Sequence, residues 1–240
     1  METKEVIPQS SLVEVDLEAR FPVLFSIPQK ISTFQENIVN RFDKAEAMIL
    51  NKVTILPNQE ARIEPERVWQ FTYEDGDPVI RLFMDKIVIF SKNYKNYSGG
   101  NGENYRDFIE YGINEVLKLV KIPRFSRIGL RYINSFPMEE FTRDYFEKYF
   151  IPVYNLDRYP FEDVLESRLI MRVKRAQGNI VIQSGFAPDT SRNYLLDLDA
   201  YCENCDTKDY ITYVDNLHNI ISEEFKSLTT GDLRDKLGIK

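Results

Sequence analysis

The sequence contains few of the residues that build disulfide frameworks, metal centres and membrane segments. Its 240 residues include two cysteines and a single histidine, His218. Two cysteines exclude the disulfide framework of a small secreted domain. No apolar run approaches the roughly 18 residues of a membrane-spanning helix, and the charged first residues are not followed by the apolar core of a signal peptide. These absences predict a cytoplasmic protein without a membrane segment.

A basic region is also lacking. Residues 1–120 contain 14 Lys and Arg against 19 Asp and Glu, residues 121–240 contain 17 against 19, and the net charge is −7. Neither half offers the excess of positive charge that a phosphate backbone attracts. The charge balance therefore argues against a nucleic-acid partner, although it leaves room for a local basic patch.

What the sequence does contain is a pattern of strands and helices that occurs twice. Residues 12–21 alternate apolar and polar side chains, as in a half-buried strand, and Ser32 with Gln35 has the spacing of a capping box that starts a helix. Three further strands joined by tight turns follow at 67–91, after a strand at 45–56, and a long helix is predicted at 104–120.

The second half follows the same order. Its strands are predicted at 125–134, 165–174, 179–187 and 193–200, with helices at 141–150 and 207–227. The pattern predicts one α+β domain, 1–240, with repeat halves 10–122 and 123–228 and a short tail at 229–240. Duplicated β-α-β(3-4)-α units of this kind form a curved antiparallel sheet with helices on one face, as in saddle-like or helix-grip folds.

Five segments, taken in their order along the chain, resemble a sporadically distributed family of uncharacterised prokaryotic proteins. They are LVEVDLEARF at 12–21, VWQFTYEDG at 68–76, RIGLRYIN at 127–134, LLDLDAY at 195–201 and LHNIISEEF at 217–225. The patchy occurrence of the family implies horizontal transfer and an accessory or defence-type role. The resemblance implies no activity for any particular residue.

Charged side chains on the first strand of each half form the candidate ligand-binding set. If the two strands lie side by side, their polar faces would frame a pocket or a groove floor. The alternative is a solvated sheet face with exposed ion pairs, such as Glu18 with Arg131, each of which contributes little. The candidate ligand-binding residues are Glu18, Arg20, Arg127, Arg131 and Asn134.

Cys202 and Cys205 form a Cys-x-x-Cys motif, the sharpest chemical feature of the sequence. Two thiolates at this spacing can supply half of a tetrahedral zinc site, which His218 or a second copy of the chain would have to complete. A redox role is the other chemical interpretation, and two ordinary cysteines in a loop are the structural one. Zinc is the one cofactor that the sequence suggests, and the motif supplies two of the four ligands that such a site needs.

The remaining polar candidates have ordinary structural explanations. Asp197 and Asp199 share one face of a strand, where Arg168 or Arg172 of neighbouring strands would pair with them. His218 lacks a nucleophile motif beside it and fits a hydrogen-bonded structural histidine. The segment SGGNGEN at 98–104 lies where a phosphate loop would, but it lacks the Walker lysine. A run of aromatic residues at 145–161 favours core or interface packing.

These observations favour a non-enzymatic protein-interaction or sensing module of a prokaryotic system, with another protein or a second copy as its partner. Three alternatives remain open. A small-ligand binder needs a cavity between the sheet and the helices. A nucleic-acid binder needs a positive stripe on a concave sheet face. A metal-dependent hydrolase needs Asp197, Asp199 and Glu18 to converge.

Overall fold

The computed structural model describes residues 11–54, 62–94, 96–98, 104–153, 159–186 and 192–238. It shows an α+β protein in which nine strands form one antiparallel sheet accompanied by helices. The elements are β1 (Leu12–Arg20), α1 (Ile27–Ile38), β2 (Lys44–Thr54), β3 (Arg62–Thr72), β4 (Val79–Leu82), β5 (Lys86–Ser91), α2 (Tyr105–Leu119), β6 (Arg124–Pro137), α3 (Arg143–Tyr149), β7 (Ser167–Arg175), β8 (Gly178–Phe186), β9 (Asn193–Asp206), α4 (Tyr210–Leu228) and α5 (Gly231–Lys236).

The strand order places the first strands of the two predicted repeats next to each other. The order is β2-β3-β4-β5-β1-β6-β9-β8-β7. From β1 and from β6, the last strand of each repeat comes next and the earlier ones follow outwards. The hairpins β3–β4, β4–β5, β7–β8 and β8–β9 are antiparallel, as predicted. The repeat boundaries and the single domain stay predictions.

The first helix begins earlier than predicted. It starts at Ile27 after Ser26, whose side chain makes no capping hydrogen bond, and Pro28 lies in its first turn. Proline has no N–H, and its fixed φ suits the first turn of a helix. The capping-box spacing of Ser32 and Gln35 is therefore inside the helix, not at its start.

The chain divides into two compact units. Unit 1 comprises Met1–Val15, Leu130–Tyr201 and Asp215–Lys240, and unit 2 comprises Asp16–Gly129 and Cys202–Val214. Strands β1, β6 and β9 and helix α4 each contribute residues to both.

In unit 2, the helices α1 and α2 cover one face of the strands with aromatic side chains. Phe34 of α1 packs edge-on against Phe71 of β3 with ring centroids 5.1 Å apart, and Phe42 lies 5.6 Å from Phe108 of α2. All four rings are buried. Burying side chains of this size is the main favourable contribution to such a core.

In unit 1, a cluster of aromatic rings fills the space between strands β8 and β9 and helix α3. Phe146 lies 5.1 Å from Tyr194 and 5.3 Å from Phe161, and Phe161 lies 5.1 Å from Phe186. Phe146, Phe161 and Phe186 are buried. Of the aromatic run that was predicted to pack in a core or an interface, Phe146, Phe150 and Phe161 thus lie in the core, Tyr159 is exposed and Tyr154 lies outside the described residues.

The predicted C-terminal tail contains a helix. Thr230 caps α5 by accepting a hydrogen bond from the Leu233 N–H, and Leu233 is buried. An apolar side chain at this position explains why the segment packs. Among the described residues, no helix has the length and apolar character needed to cross a membrane.

Candidate functional site

A groove in unit 1 is the candidate functional site. It encloses about 350 Å³ and is formed where β7 begins, β8 ends and β9 begins, with Arg131 of β6 on one side. All of its lining residues lie in strands except Glu166, which directly precedes β7. The polar side chains that line it include Arg131, Glu166, Arg168, Gln183, Asn193 and Asp197.

The strand register explains why a groove forms here. Gly185 of β8 lies opposite Arg168 of β7 on one side and opposite Leu195 of β9 on the other. A Cβ atom at Gly185 would lie 2.2 Å from the backbone oxygen of Ser167. The close approach of β7 thus requires glycine at this position, and the missing side chain leaves a notch between its two neighbours.

Along the same strands, Arg131, Asp197 and Gln183 form a fixed polar network. Arg131 donates from Nε to Asp197 Oδ1 at 2.8 Å and from Nη2 to Oδ2 at 2.6 Å. Gln183, which lies opposite Asp197 in the register, donates from Nε2 to the same Oδ2 at 3.2 Å. Planar, two-point pairing of a guanidinium with a carboxylate is strongly directional. The network therefore holds the Arg131 side chain in one orientation beside the groove.

Two further charged side chains in the lining are available to a ligand. Arg168 and Glu166 are both exposed, and neither has an ion-pair or hydrogen-bond partner among the residues that the structure describes. The four ionisable side chains of the lining balance, because Arg131 and Arg168 offset Asp197 and Glu166. The groove thus presents one exposed guanidinium and one exposed carboxylate in a lining whose ionisable side chains balance.

Of the predicted ligand-binding residues, Arg131 lines this groove. The prediction that Arg131 would pair with Glu18 is replaced by its pairing with Asp197. Asp197 was expected to pair with arginines of β7, but its partner is on β6. An arginine and a carboxylate on the same face of adjacent strands can pair diagonally as well as directly, so alternation alone does not determine the partner.

Glu18, Arg20 and Arg127 form an ionic network in unit 2. Glu18 Oε1 lies 2.7 Å from Arg20 Nε and 3.0 Å from Arg127 Nη1, and Lys86 Nζ lies 3.8 Å from the other oxygen. The hydrogen bond with Glu18 raises the pKa of Arg20. This part of the sheet matches the alternative of a polar face that carries ion pairs.

Asn134 is buried and bonded to the protein. Its Oδ1 accepts a hydrogen bond from Ser11 Oγ at 3.2 Å, and its Nδ2 donates to the Leu196 carbonyl at 3.4 Å. A buried amide that joins β6 to its neighbours in this way fixes the register of the strands. Its contacts are those of a structural residue.

His218 is held between two hydroxyl groups, as expected of a structural histidine. Its Nδ1 lies 2.8 Å from Tyr132 Oη and its Nε2 lies 3.4 Å from Ser222 Oγ. Burial lowers the pKa of His218 to about 4 and raises the pKa of Tyr132. The imidazole is therefore neutral near pH 7.

Cys202 and Cys205 lie inside strand β9, which corrects the interpretation that they stand in a loop after a strand ending at residue 200. Alternation would direct side chains three residues apart to opposite faces. Asn204 interrupts it with a left-handed φ of 57°, and both thiols become buried on the same side. Their sulfur atoms are 2.9 Å apart. The hydrogen bond from Cys202 lowers the pKa of Cys205, and the same bond together with burial raises that of Cys202.

No metal centre forms from the described residues. Nowhere in that part of the chain do three or more His, Cys, Asp or Glu side chains converge closely enough to bind an ion. The predicted zinc site at Cys202 and Cys205 would thus need ligands from elsewhere. Most of the SGGNGEN segment, 99–103, lies outside the described residues.

Sequence patterns missed most of the groove. Arg168 and Gln183 looked like ordinary outward-facing residues of polar-out strands, and Glu166 fell within the strand predicted at 165–174. The available signal was Gly185 within a predicted strand, since an interior glycine marks a bulge or a close backbone approach.

A comparison with protein-family models and with curated proteins finds no match to this chain.

Proposed function

We propose that the protein is a sensing module that binds a small polar ligand in the groove of unit 1. The observation that carries the proposal is Arg168, an exposed guanidinium without a partner among the described residues, in a groove whose other arginine is already oriented by Asp197. Arginine binds carboxylate and phosphate groups through two parallel hydrogen bonds. A ligand with an anionic group would pair with Arg168.

The composition of the lining narrows the ligand to a zwitterion, such as an α-amino acid or a short peptide. Glu166 supplies an exposed carboxylate for an ammonium group, while Gln183 and Asn193 supply amides that donate and accept hydrogen bonds. A volume of about 350 Å³ lies at the small end of the range of ligand pockets.

The groove is lined by strand residues, whereas the cavity suggested by the sequence would lie between the sheet and the helices. A cavity between β6 and the helices α3 and α5 also exists, but it measures about 50 Å³, which is room for a few water molecules. The ligand site is therefore assigned to the strands. The roles in protein interaction, nucleic-acid binding and metal-dependent hydrolysis stay predictions.

Isothermal titration calorimetry with a panel of proteinogenic amino acids and dipeptides tests the proposal. For the best ligand, Arg168→Gln should weaken binding roughly ten- to a hundredfold, because a hydrogen bond to a charged group contributes about 1.5–3 kcal/mol. Arg172→Gln is the matched control. Arg172 is an exposed arginine of the same strand, four residues further on, and it does not line the groove.

Glu166→Gln tests the contact with the cationic end of the ligand separately. This substitution should weaken the binding of a zwitterion but leave the affinity for a ligand with only an anionic group nearly unchanged. The proposal is wrong if no member of the panel binds, or if Arg168→Gln and Arg172→Gln weaken binding equally.

A further inference from the structure

The Cys-x-x-Cys motif of β9 does not line the groove, and its geometry calls for a separate explanation. The irregular conformation at Asn204 places both sulfur atoms on one side of the strand, 2.9 Å apart. Both thiols are free. A disulfide has a sulfur–sulfur distance of about 2.05 Å, so the two sulfurs are separated from bonding distance by a small movement of their side chains.

The surroundings favour thiol chemistry over metal binding. Zinc held by two cysteines needs two more ligands, and the described residues provide no group of three that could hold an ion. The chain has no other cysteines, so each of these thiols has a single intramolecular partner.

We propose that Cys202 and Cys205 form a reversible oxidation site in which a hydroperoxide converts the two thiols into an intramolecular disulfide. The exposed fractions of the two residues are 8% and 1%. Such limited exposure suits oxidation by a molecule as small as hydrogen peroxide. It disfavours oxidation by the disulfide of another protein, which would have to come into contact with the thiols.

The reaction balances with the hydroperoxide as the oxidant. One cysteine gives up its proton and, as the thiolate, attacks an oxygen of the peroxide; the O–O bond breaks, and the departing hydroxide takes up that proton to become the first water. The resulting sulfenic acid is attacked by the second sulfur, which loses its proton. The S–O bond breaks, the S–S bond forms, and a second water is released. Two thiols and one hydrogen peroxide thus yield one disulfide and two waters, and a small dithiol reverses the change by thiol–disulfide exchange.

The oxidation is tested on the full chain with hydrogen peroxide, followed by denaturation, alkylation of the remaining thiols and intact-mass spectrometry. We expect both thiols to disappear together, with loss of the mass of two hydrogen atoms, and dithiothreitol to restore them. Non-reducing electrophoresis should show a monomer. In Cys202→Ser and Cys205→Ser the remaining thiol should instead gain oxygen, because its resolving partner is missing.

The bulge supplies a second test that does not remove a thiol. Asn204→Gly retains access to the left-handed conformation and should oxidise at the rate of the unchanged chain, whereas Asn204→Val disfavours it and should form the disulfide several-fold more slowly. Circular dichroism checks that both variants are folded. The proposal is overturned if the two thiols accumulate oxygen independently without losing two hydrogens, if only intermolecular disulfides form, or if both Asn204 variants oxidise at the same rate.

Discussion

Replacing Asp197 with asparagine tests whether the groove is built as described. The carboxylate accepts two hydrogen bonds from Arg131, at 2.8 and 2.6 Å, and one from Gln183 at 3.2 Å. Asparagine has nearly the same shape but keeps only one acceptor oxygen. Its NH₂ group would face at least one N–H donor, so Arg131 would lose both its charge partner and its fixed orientation.

The expected loss of stability follows from the exposure of the two partners. Breaking a fully buried pair costs about 3–5 kcal/mol, and an exposed pair contributes less than about 1 kcal/mol. The side chain of Asp197 is 12% exposed and that of Arg131 is 40% exposed. Because water can reach Arg131 and screen its charge, we expect a loss of about 2 kcal/mol.

Urea unfolding followed by far-UV circular dichroism measures this loss. With a urea slope of about 2 kcal/mol per molar, the midpoint should fall by roughly 1 M. A double-mutant cycle with Arg131→Gln isolates the pair, and it should show a coupling free energy of about 1 kcal/mol or more. If the two substitutions add within about 0.4 kcal/mol, the pair does not exist in solution and the orientation of Arg131 has another cause.

Two further predictions concern His218 and Gly185. Because burial lowers the pKa of His218 to about 4 from its ordinary value of 6.5, the unfolded state binds a proton that the folded state does not between these pH values, and stability should fall as pH is lowered from about 6.5 to 4. Discounted for partial exposure of the ring, the loss of stability is roughly 1–2 kcal/mol. Urea unfolding of the unchanged protein and of His218→Gln at both ends of this pH window isolates the contribution of His218, since the chain has no other histidine. An identical pH dependence of the two proteins would contradict the assignment. Gly185→Ala should lower the free energy of unfolding by about 1–3 kcal/mol, because its Cβ would lie 2.2 Å from a backbone oxygen. Gly231→Ala, where no atom lies within 4 Å of the added Cβ, should be neutral or slightly stabilising, so equal destabilisation by both would contradict the close approach of β7.

The order and type of the elements could be predicted because they depend on local patterns. Alternation identified β1, β6 and β9, and the tight turns predicted within 67–91 separated β3, β4 and β5. The boundaries were less certain. The first helix was predicted to start at Ser32, but Pro28 already lies in the first turn of α1, because proline is compatible with a helix start as well as with a break in the pattern.

The candidate site was harder to predict because its residues come from four strands. Arg131 was among the candidates, but its partner Asp197 lies on β9, and the choice between Glu18 and Asp197 depends on the registers of β1, β6 and β9. The sequence pattern fixes which side chains share a face, not which of them stand opposite one another.

The sequence by itself determined the fold class, the alternation of each strand and the presence of a Cys-x-x-Cys motif, since these follow from periodicity and composition over short windows. Only the tertiary structure decided that Gly185 opens a groove beside Arg168, that Asp197 orients Arg131, and that Asn204 turns Cys205 to the side of Cys202. The first two depend on how strands that are distant in sequence pack together, and the third depends on the conformation of a single left-handed residue. Periodicity over short windows therefore specifies none of them.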